Sequence, residues 1–260
     1  MKFDSRIAKR LFMVFVSVLL SACISTQSSV FTNARSEEEA VAAQVQLARA
    51  YMGKGNWERA KRKLKVAHSM SPDAPEVQEA LALVNQNTGE YELAEYHFKR
   101  ALSLQKQFSR ARNNYAAFLY QQERIDEACD QLAEVVKDTL YELRAQSFFN
   151  LARCRHRQGR NEDAEKAFLR VVAMDVGSSP ATLELAALYF MRGDTASAIE
   201  YYGLHRSTVR TQSARALWLG IQLNDSQGKS DAVASGALAL RSLYPNSAEY
   251  AEYEKRYASP

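Results

Sequence analysis

The stretch Leu47 to Pro72, LARAYMGKGNWERAKRKLKVAHSMSP, decides the fold because it recurs down the chain. Leu47 and Ala48 form a pair, and Ala60 follows twelve residues after Ala48. The same frame gives Leu81, Ala82 and Ala94; Tyr115, Ala116 and Ala128; Leu151, Ala152 and Ala164; Leu185, Ala186 and Ala198; and Leu219, Gly220 and Ala232. Successive copies are 34, 34, 36, 34 and 34 residues apart, and a period of this size belongs to an array of helix pairs. Ala48 and Ala60 carry nothing beyond Cβ. Two helices joined by a short turn can therefore approach to the low end of the roughly 8–10 Å interaxial range. Leu64, Phe98, Leu132, Phe168 and Tyr202 stand four residues after the second small position and supply the bulk beside it. Gly55, Gly89, Gly159 and Gly193 fall where the turn is expected, and Trp57 or Tyr91 opens the second helix.

The pattern small–aromatic–Ala–bulky–Ala–Pro, read at Gly55, Trp57, Ala60, Leu64, Ala67 and Pro72, resembles the tetratricopeptide repeat. The resemblance covers about residues 41–246. It implies an all-α chain, a right-handed superhelical solenoid of six helix pairs with a C-terminal capping helix. The expected units lie near 41–74, 75–108, 109–144, 145–178, 179–212 and 213–246, within a repeat region 37–246. First helices are expected to start near Val41, Pro75, Ser109, Ala145, Ser179 and Ser213. Second helices start near Trp57, Tyr91, Ile125, Asn161, Thr195 and Lys229. The two extra residues between copies three and four fall in KDTLYELR, Lys137 to Arg144, which predicts one longer turn. Residues 247–260 close the array. Tyr250, Tyr253 and Tyr257 can cover its last apolar face, which an array of this kind otherwise exposes. Departures from the repeat pattern include Asn85, Arg155, Lys229 and Gly236, and the sixth copy matches least.

The composition, 47% apolar and 25% charged, is that of a globular chain. Its net charge of +4 divides unevenly. Residues 1–22 hold Lys2, Arg6, Lys9 and Arg10 against Asp4, a net +3, which leaves +1 for the rest. No Lys/Arg stripe interleaved with aromatics appears, so no nucleic-acid partner is expected. Residues 1–22 read as a secretory signal: a basic start, an apolar run from Leu11 to Leu20 and small residues at the end. That run is too short for a bilayer, which needs about 20 apolar residues. Leu20-Ser21-Ala22-Cys23 resembles the bacterial lipoprotein box. This implies acylation of Cys23, and Ile24 after it points to the outer membrane, with the chain on its periplasmic face. Residues 23–36 are expected to be a lipidated tether, ending where Ser36 caps a helix that opens on Glu37, Glu38 and Glu39. Cys129 and Cys154 fall on adjacent helices of copies three and four. In an oxidising compartment such a pair tends to close; the alternative is two buried thiols on separate faces.

No catalytic constellation emerges. His68, His97, His156 and His205 occupy four different repeat positions with no metal-ligand spacing, so no metal or cofactor is expected. Gly228-Lys229-Ser230 is similar to the end of a phosphate loop, yet Leu223 stands where the first Gly is required and no strand precedes it. The chain is therefore expected to bind rather than catalyse, through the groove lined by first helices. The lining places give Val45, Arg49, Met52, Leu83, Gln86, Arg110, Asn113, Ala117, Tyr120, Phe149 and Arg153 as candidate partner contacts. The carboxylate clamp of chaperone-binding repeats would fall at Val45, Arg49, Ala80, Arg110 and Asn114, and its residue types are largely missing.

A lipoprotein box, a short polar segment, six repeats and a Cys pair joining copies three and four together resemble the PilF/PilW pilotin family of type IV pilus biogenesis lipoproteins. Leu47-Ala48-Arg49-Ala50-Tyr51, Arg112-Asn113-Asn114-Tyr115-Ala116 and Ala145-Gln146-Ser147-Phe148-Phe149-Asn150-Leu151-Ala152 carry the likeness. The resemblance implies a non-enzymatic outer-membrane lipoprotein. Its partners would be the pilus secretin, whose localisation and multimerisation it promotes, the lipoprotein sorting machinery, and the membrane through its lipid. The alternative is a scaffold for another envelope machine, one that inserts β-barrel proteins or organises cell-wall enzymes.

Overall fold

The computed structural model describes residues 30–175 and 177–257. Among these residues there are thirteen helices and no strand. The expected signal segment 1–22 and Cys23 lie outside the described residues.

The chain forms two compact units, one ending at Pro72 and one starting at Asp73. The first holds a helical hairpin, α1 (Val30–Met52) and α2 (Trp57–Met70). α1 starts earlier than the sequence suggested. Ser36 does not open it, and residues 30–36 are helical rather than part of a coil tether. The physical reason is the absence of a breaker: residues 30–35 contain no Gly or Pro, so the helix runs back past a competent cap. Ala48, Ala60, Leu64 and Ala67 have no exposed surface and form the hairpin seam.

The second unit stacks five helix pairs. In order they are α3 (Pro75–Thr88) with α4 (Tyr91–Leu104), α5 (Ser109–Gln121) with α6 (Ile125–Val135), α7 (Arg144–Arg157) with α8 (Asn161–Met174), α9 (Ser179–Met191) with α10 (Thr195–Thr208), and α11 (Ala214–Asp225) with α12 (Ser230–Leu243). α13 (Ala248–Tyr257) packs on α11 and α12. Each second helix touches the first helix of the next pair. Ala82, Ala94, Ala116, Ala128, Ala152, Ala164, Ala186 and Ala198 are all fully buried. The small residues therefore sit at the helix–helix contacts, where the spacing placed them. Gly89 (φ 86°) and its counterparts turn the chain in the left-handed region. In the third repeat a non-glycine, Glu123 (φ 57°), takes that conformation. Gly228 does the same (φ 68°), so the stretch that is similar to a phosphate loop is an inter-helix turn. At the far end Trp218 meets Tyr253 and Tyr257 edge-on, and Tyr250, Tyr253 and Tyr257 cover Leu217, Ile221, Ala237 and Leu240. The Tyr257 hydroxyl donates to Asp225 at 2.6 Å.

Ion pairs join consecutive repeats. Glu95 on α4 accepts from the Tyr115 hydroxyl of α5 at 3.0 Å and from Arg124 at 2.7 Å. Glu165 on α8 likewise accepts from Tyr189 at 2.8 Å and Arg192 at 2.7 Å. The Arg124 hydrogen bond holds the Glu95 carboxyl at about 2. A carboxyl depressed in the folded state stabilises fully above its unfolded value of 4.5, and that stabilisation is lost as pH falls through about 2. Glu95→Gln should therefore lower the melting temperature at neutral pH, with a deficit that shrinks as pH drops below 4.5. Melting curves of both chains across an acid series check this.

The sixth repeat departs from the alanine rule for a visible reason. Tyr202 of α10 reaches the next first helix, and its hydroxyl donates to Gln212 at 2.6 Å. A Cβ built on Gly220 would lie 2.7 Å from Tyr202 Cζ and closer still to its hydroxyl. Helix propensity alone favours Gly220→Ala by about 1 kcal/mol, while overpacking costs about 1–3 kcal/mol. Net destabilisation is expected. Replacing Tyr202 by Leu, the residue at this place in repeats one and three, should restore part of the loss. Denaturant titration of the single and double variants measures the coupling.

Candidate functional site

The first helices α3, α5 and α7 present neighbouring faces in the second unit. Between α5 and α7 lies a cleft of ≈170 Å³ lined by Ala116, Ala117, Tyr120, Gln121, Leu132, Asn150 and Arg153. The alanines make it: side chains of ordinary size on that turn of α5 would fill the hollow. Tyr120 supplies an aromatic wall, and the Arg153 guanidinium stands 5.9 Å from its ring centre. Gln121 accepts from Gln86 of α3 at 2.7 Å, which leaves Gln86 Oε1 buried with no hydrogen-bond partner. The lining is chiefly apolar, with amide and guanidinium donors at its edge. Such a hollow suits an apolar side chain, with polar groups reaching the main chain that carries it.

The structure brings Ala117, Tyr120 and Arg153 together in this cleft, and Gln86 borders it. Other expected contacts are engaged elsewhere. Asn114 donates to Glu79 at 2.7 Å, and Arg110 Nε stands 3.5 Å from the same oxygen. Glu79 is fully buried, so both partners compensate a carboxylate removed from water. Arg110 also lies 5.0 Å from the Phe108 ring centre. Two places tested for a carboxylate clamp are thus occupied by a carboxylate of the chain itself. Tyr141 of the longer turn sits close by with its hydroxyl buried, and burial pushes its phenol up. Asn113 accepts from Ser147 of α7 at 3.2 Å, which ties repeats three and four. Phe149 turns to Phe168, with ring centres 5.5 Å apart, and borders a separate hollow of ≈120 Å³ with Val171 and Pro180. Leu83 packs, half-buried, against the core around Phe98 and Tyr115.

In the first unit Arg49 and Met52 are half-buried. Val45 is only 5% exposed and belongs to the hairpin core. At that exposure its side chain is closed to a partner, unlike the groove place expected for it. Gln121 and Asn150 were not named from the sequence. Gln121 stands at the thirteenth place of its repeat, one of the lining places, so the pattern already pointed to it. Asn150 stands at the sixth place, the one Ala80 and Asn114 hold in the clamp pattern, though outside the lining places used for the groove.

Behind the cleft, Cys129 of α6 is bonded to Cys154 of α7 (Cα–Cα 5.6 Å). Arg153 is the residue next to Cys154, and Leu132 is one turn beyond Cys129. The covalent link therefore fixes the two helices that carry the cleft's floor and one wall. Among the described residues no group of three or more His, Cys, Asp or Glu could hold a metal ion. None of the described helices is long and apolar enough to cross a membrane.

Comparisons with known proteins agree with this geometry. The family described as Tetratricopeptide repeat matches residues 45–107, 119–180 and 149–205. The type IV pilus assembly protein PilF of Pseudomonas aeruginosa is 34% identical over 241 residues, which cover 92% of this chain and 95% of PilF. An uncharacterised protein of Haemophilus influenzae is 28% identical over 148 residues, 57% of this chain and 80% of its own. The solved PilF structure superposes with a TM-score of 0.78 over 85% of this chain and 99% of PilF. The crystal structure of PilW, described as a widely conserved type IV pilus biogenesis factor, gives 0.71 at 24% identity over 82% of this chain and 97% of its own; at that identity it supports the fold.

The bridge closes a loop with a sequence separation of 25, and loop-closure entropy of that size stabilises by roughly 3 kcal/mol. Replacing both cysteines by Ala should lower the melting temperature by about 6–12 °C for a chain of this length. A reductant should shift the wild-type chain similarly and leave the variant unmoved.

Proposed function

This chain belongs to the tetratricopeptide-repeat family and, within it, to the type IV pilus biogenesis proteins that include PilF, and from that premise we propose that it is an outer-membrane lipoprotein that carries and assembles the pilus secretin. The observation that carries the proposal is the near full-length match to PilF, together with a partly apolar cleft on the face where repeats of this kind bind protein segments. Scaffolding without catalysis accords with the family and with a site built from Ala, Tyr, Asn, Gln and Arg.

The mechanism has three steps. Acylation of Cys23 makes the chain a cargo of the envelope's lipoprotein sorting machinery, which delivers it to the periplasmic face of the outer membrane. A secretin segment lies extended along the first helices, with an apolar side chain seated between Ala117 and Tyr120. Asn150, Gln121 and Arg153 hydrogen-bond the segment's carbonyl groups. Arrival at one membrane then raises the local secretin concentration, and multimerisation follows by mass action.

Deleting the gene should abolish assembled secretin rings at the outer membrane and twitching motility, and normal rings in the deletion strain would refute the proposal. A finer test replaces Tyr120 by Ala together with Arg153 by Glu. That chain should accumulate to wild-type level, remain membrane-associated, and lose roughly ten- to a hundredfold in secretin co-purification, the scale of losing one anchor side chain.

A further inference from the structure

α2 packs five cations into the seven residues from Arg59 to Lys65, a tighter run than in α7, which reaches the same net +4 with four arginines spread over 14 residues. Between Trp57 and Met70 it holds Arg59, Lys61, Arg62, Lys63 and Lys65 against one acid, Glu58, a net +4. The whole chain is also +4, so everything outside this helix of 14 residues balances to zero. Setting aside residues 1–22 with their +3, the remainder outside α2 is −3. Other second helices mix the signs: α4 pairs Lys99 with Glu95 at 2.8 Å, and α8 sets Lys166 beside Asp163 at 3.9 Å. No acid follows Glu58 on α2.

The hairpin seam decides where these cations point. Ala60, Leu64 and Ala67 have no exposed surface, and their spacing of four and three fixes one face of α2 inward. Arg59, Arg62 and Lys65 are therefore exposed, Lys61 and Lys63 flank them half-buried, and Val66 is 45% exposed among them. α1 packs antiparallel, so its acids Glu37, Glu38 and Glu39 stand opposite the last turn of α2, beyond Lys65. The outer face is thus a convex basic ridge whose cations span about 10 Å along the helix, with an apolar spot beside them, and Arg59 stands 5.7 Å from the ring centre of Tyr51 on α1.

We propose that this face of α2 is a docking surface for anionic phospholipid headgroups. Its shape is that of a ridge for a plane rather than a pocket for a side chain. Along α2 no aromatic stands between Arg59 and Lys65, which argues against nucleic acid, and clusters of this number of cations on an amphipathic helix bind anionic lipid. The hairpin is also the part of the chain next to the expected acyl anchor: residues 23–29 reach at most about 25 Å fully extended. The surface acts beside the acyl chain. It would lay the hairpin against the bilayer and leave the Tyr120 cleft of the second unit for a protein segment. The proposal goes beyond the secretin reading and does not depend on it.

The test uses the unlipidated chain from residue 24 onward, which retains every described residue. It is mixed with vesicles of phosphatidylethanolamine containing about one third phosphatidylglycerol, or of phosphatidylcholine alone, and sedimented. The chain should bind the anionic vesicles at low salt and leave them near 0.5 M salt, where screening reaches only about 4 Å. Replacing Arg62, Lys63 and Lys65 by Gln should weaken this binding roughly a hundredfold, about fivefold per cation, with unchanged circular dichroism and melting temperature. Equal binding to both vesicle types, equal binding by the variant, or binding to polyglutamate but to neither vesicle would each overturn the proposal. Because no secretin and no acyl chain is present, failure here leaves the carrier mechanism to be judged separately.

Discussion

Two helices that meet through nothing larger than a methyl group set the geometry of every repeat. At Ala82 and Ala94, and at the equivalent alanine pairs through Ala186 and Ala198, no surface is left exposed, while Ala232 of the last repeat is half-buried. A larger side chain at any of them would widen the pair, and since within the second unit each second helix also packs on the next first helix, the displacement would pass along that stack. Gly220 shows that the requirement is one of volume rather than of alanine. Where Tyr202 projects further than Leu or Phe does elsewhere, the facing residue gives up its last carbon. Gly236, at a bulky place, repeats the exchange in the opposite sense, because Ile221 stands where a Cβ would go.

Once such seams fix the pairs, the polar groups at their junctions need partners across repeats. Buried Glu79 draws in Arg110 and Asn114, Ser147 takes Asn113, and Glu184 takes both terminal nitrogens of Arg215 at 2.6 Å. Leaving buried Glu79 or Ser147 unmet would cost more than the bond itself contributes. The first-helix face therefore devotes much of its polarity to holding repeats together. The Tyr120 cleft differs because Ala116 and Ala117 fall side by side there. Ala116 is a seam residue, and Ala117 leaves the space beside it. Room for a partner is a by-product of the packing rule, sharpened by one aromatic and one guanidinium at its rim.

This division explains what could be read from the residues alone. The period locates each helix pair in the second unit to within a residue, and it places the turns and the tyrosine cap, because these depend on local volume and backbone freedom. The start of α1 escaped, since a Ser with acids after it caps a helix only if the preceding segment is not itself helical. The contacts of Arg110 with Glu79 and of Asn113 with Ser147 were not legible, because a repeat frame says which way a residue points but not which neighbour, some 30 residues away, it will meet. Val45 and Phe149 show how neighbours modify a place the frame assigns to the groove: one is buried, and the other lies against Phe168 while it borders a hollow of its own.

Net charge illustrates the same limit. Counted along the chain, the excess of cations belongs mostly to the first 22 residues, and the +1 that remains says nothing about a partner. Folded, that +1 separates into a helix of +4 and a remainder of −3. The separation matters because the alanine seam of the hairpin admits no cation, so all five must lie on the outer side or its flanks. The contact that sets the fold thereby also aims the charge. The basic ridge of the first unit and the cleft with an aromatic wall in the second are surfaces of different chemistry, each set by the alanine seam behind it.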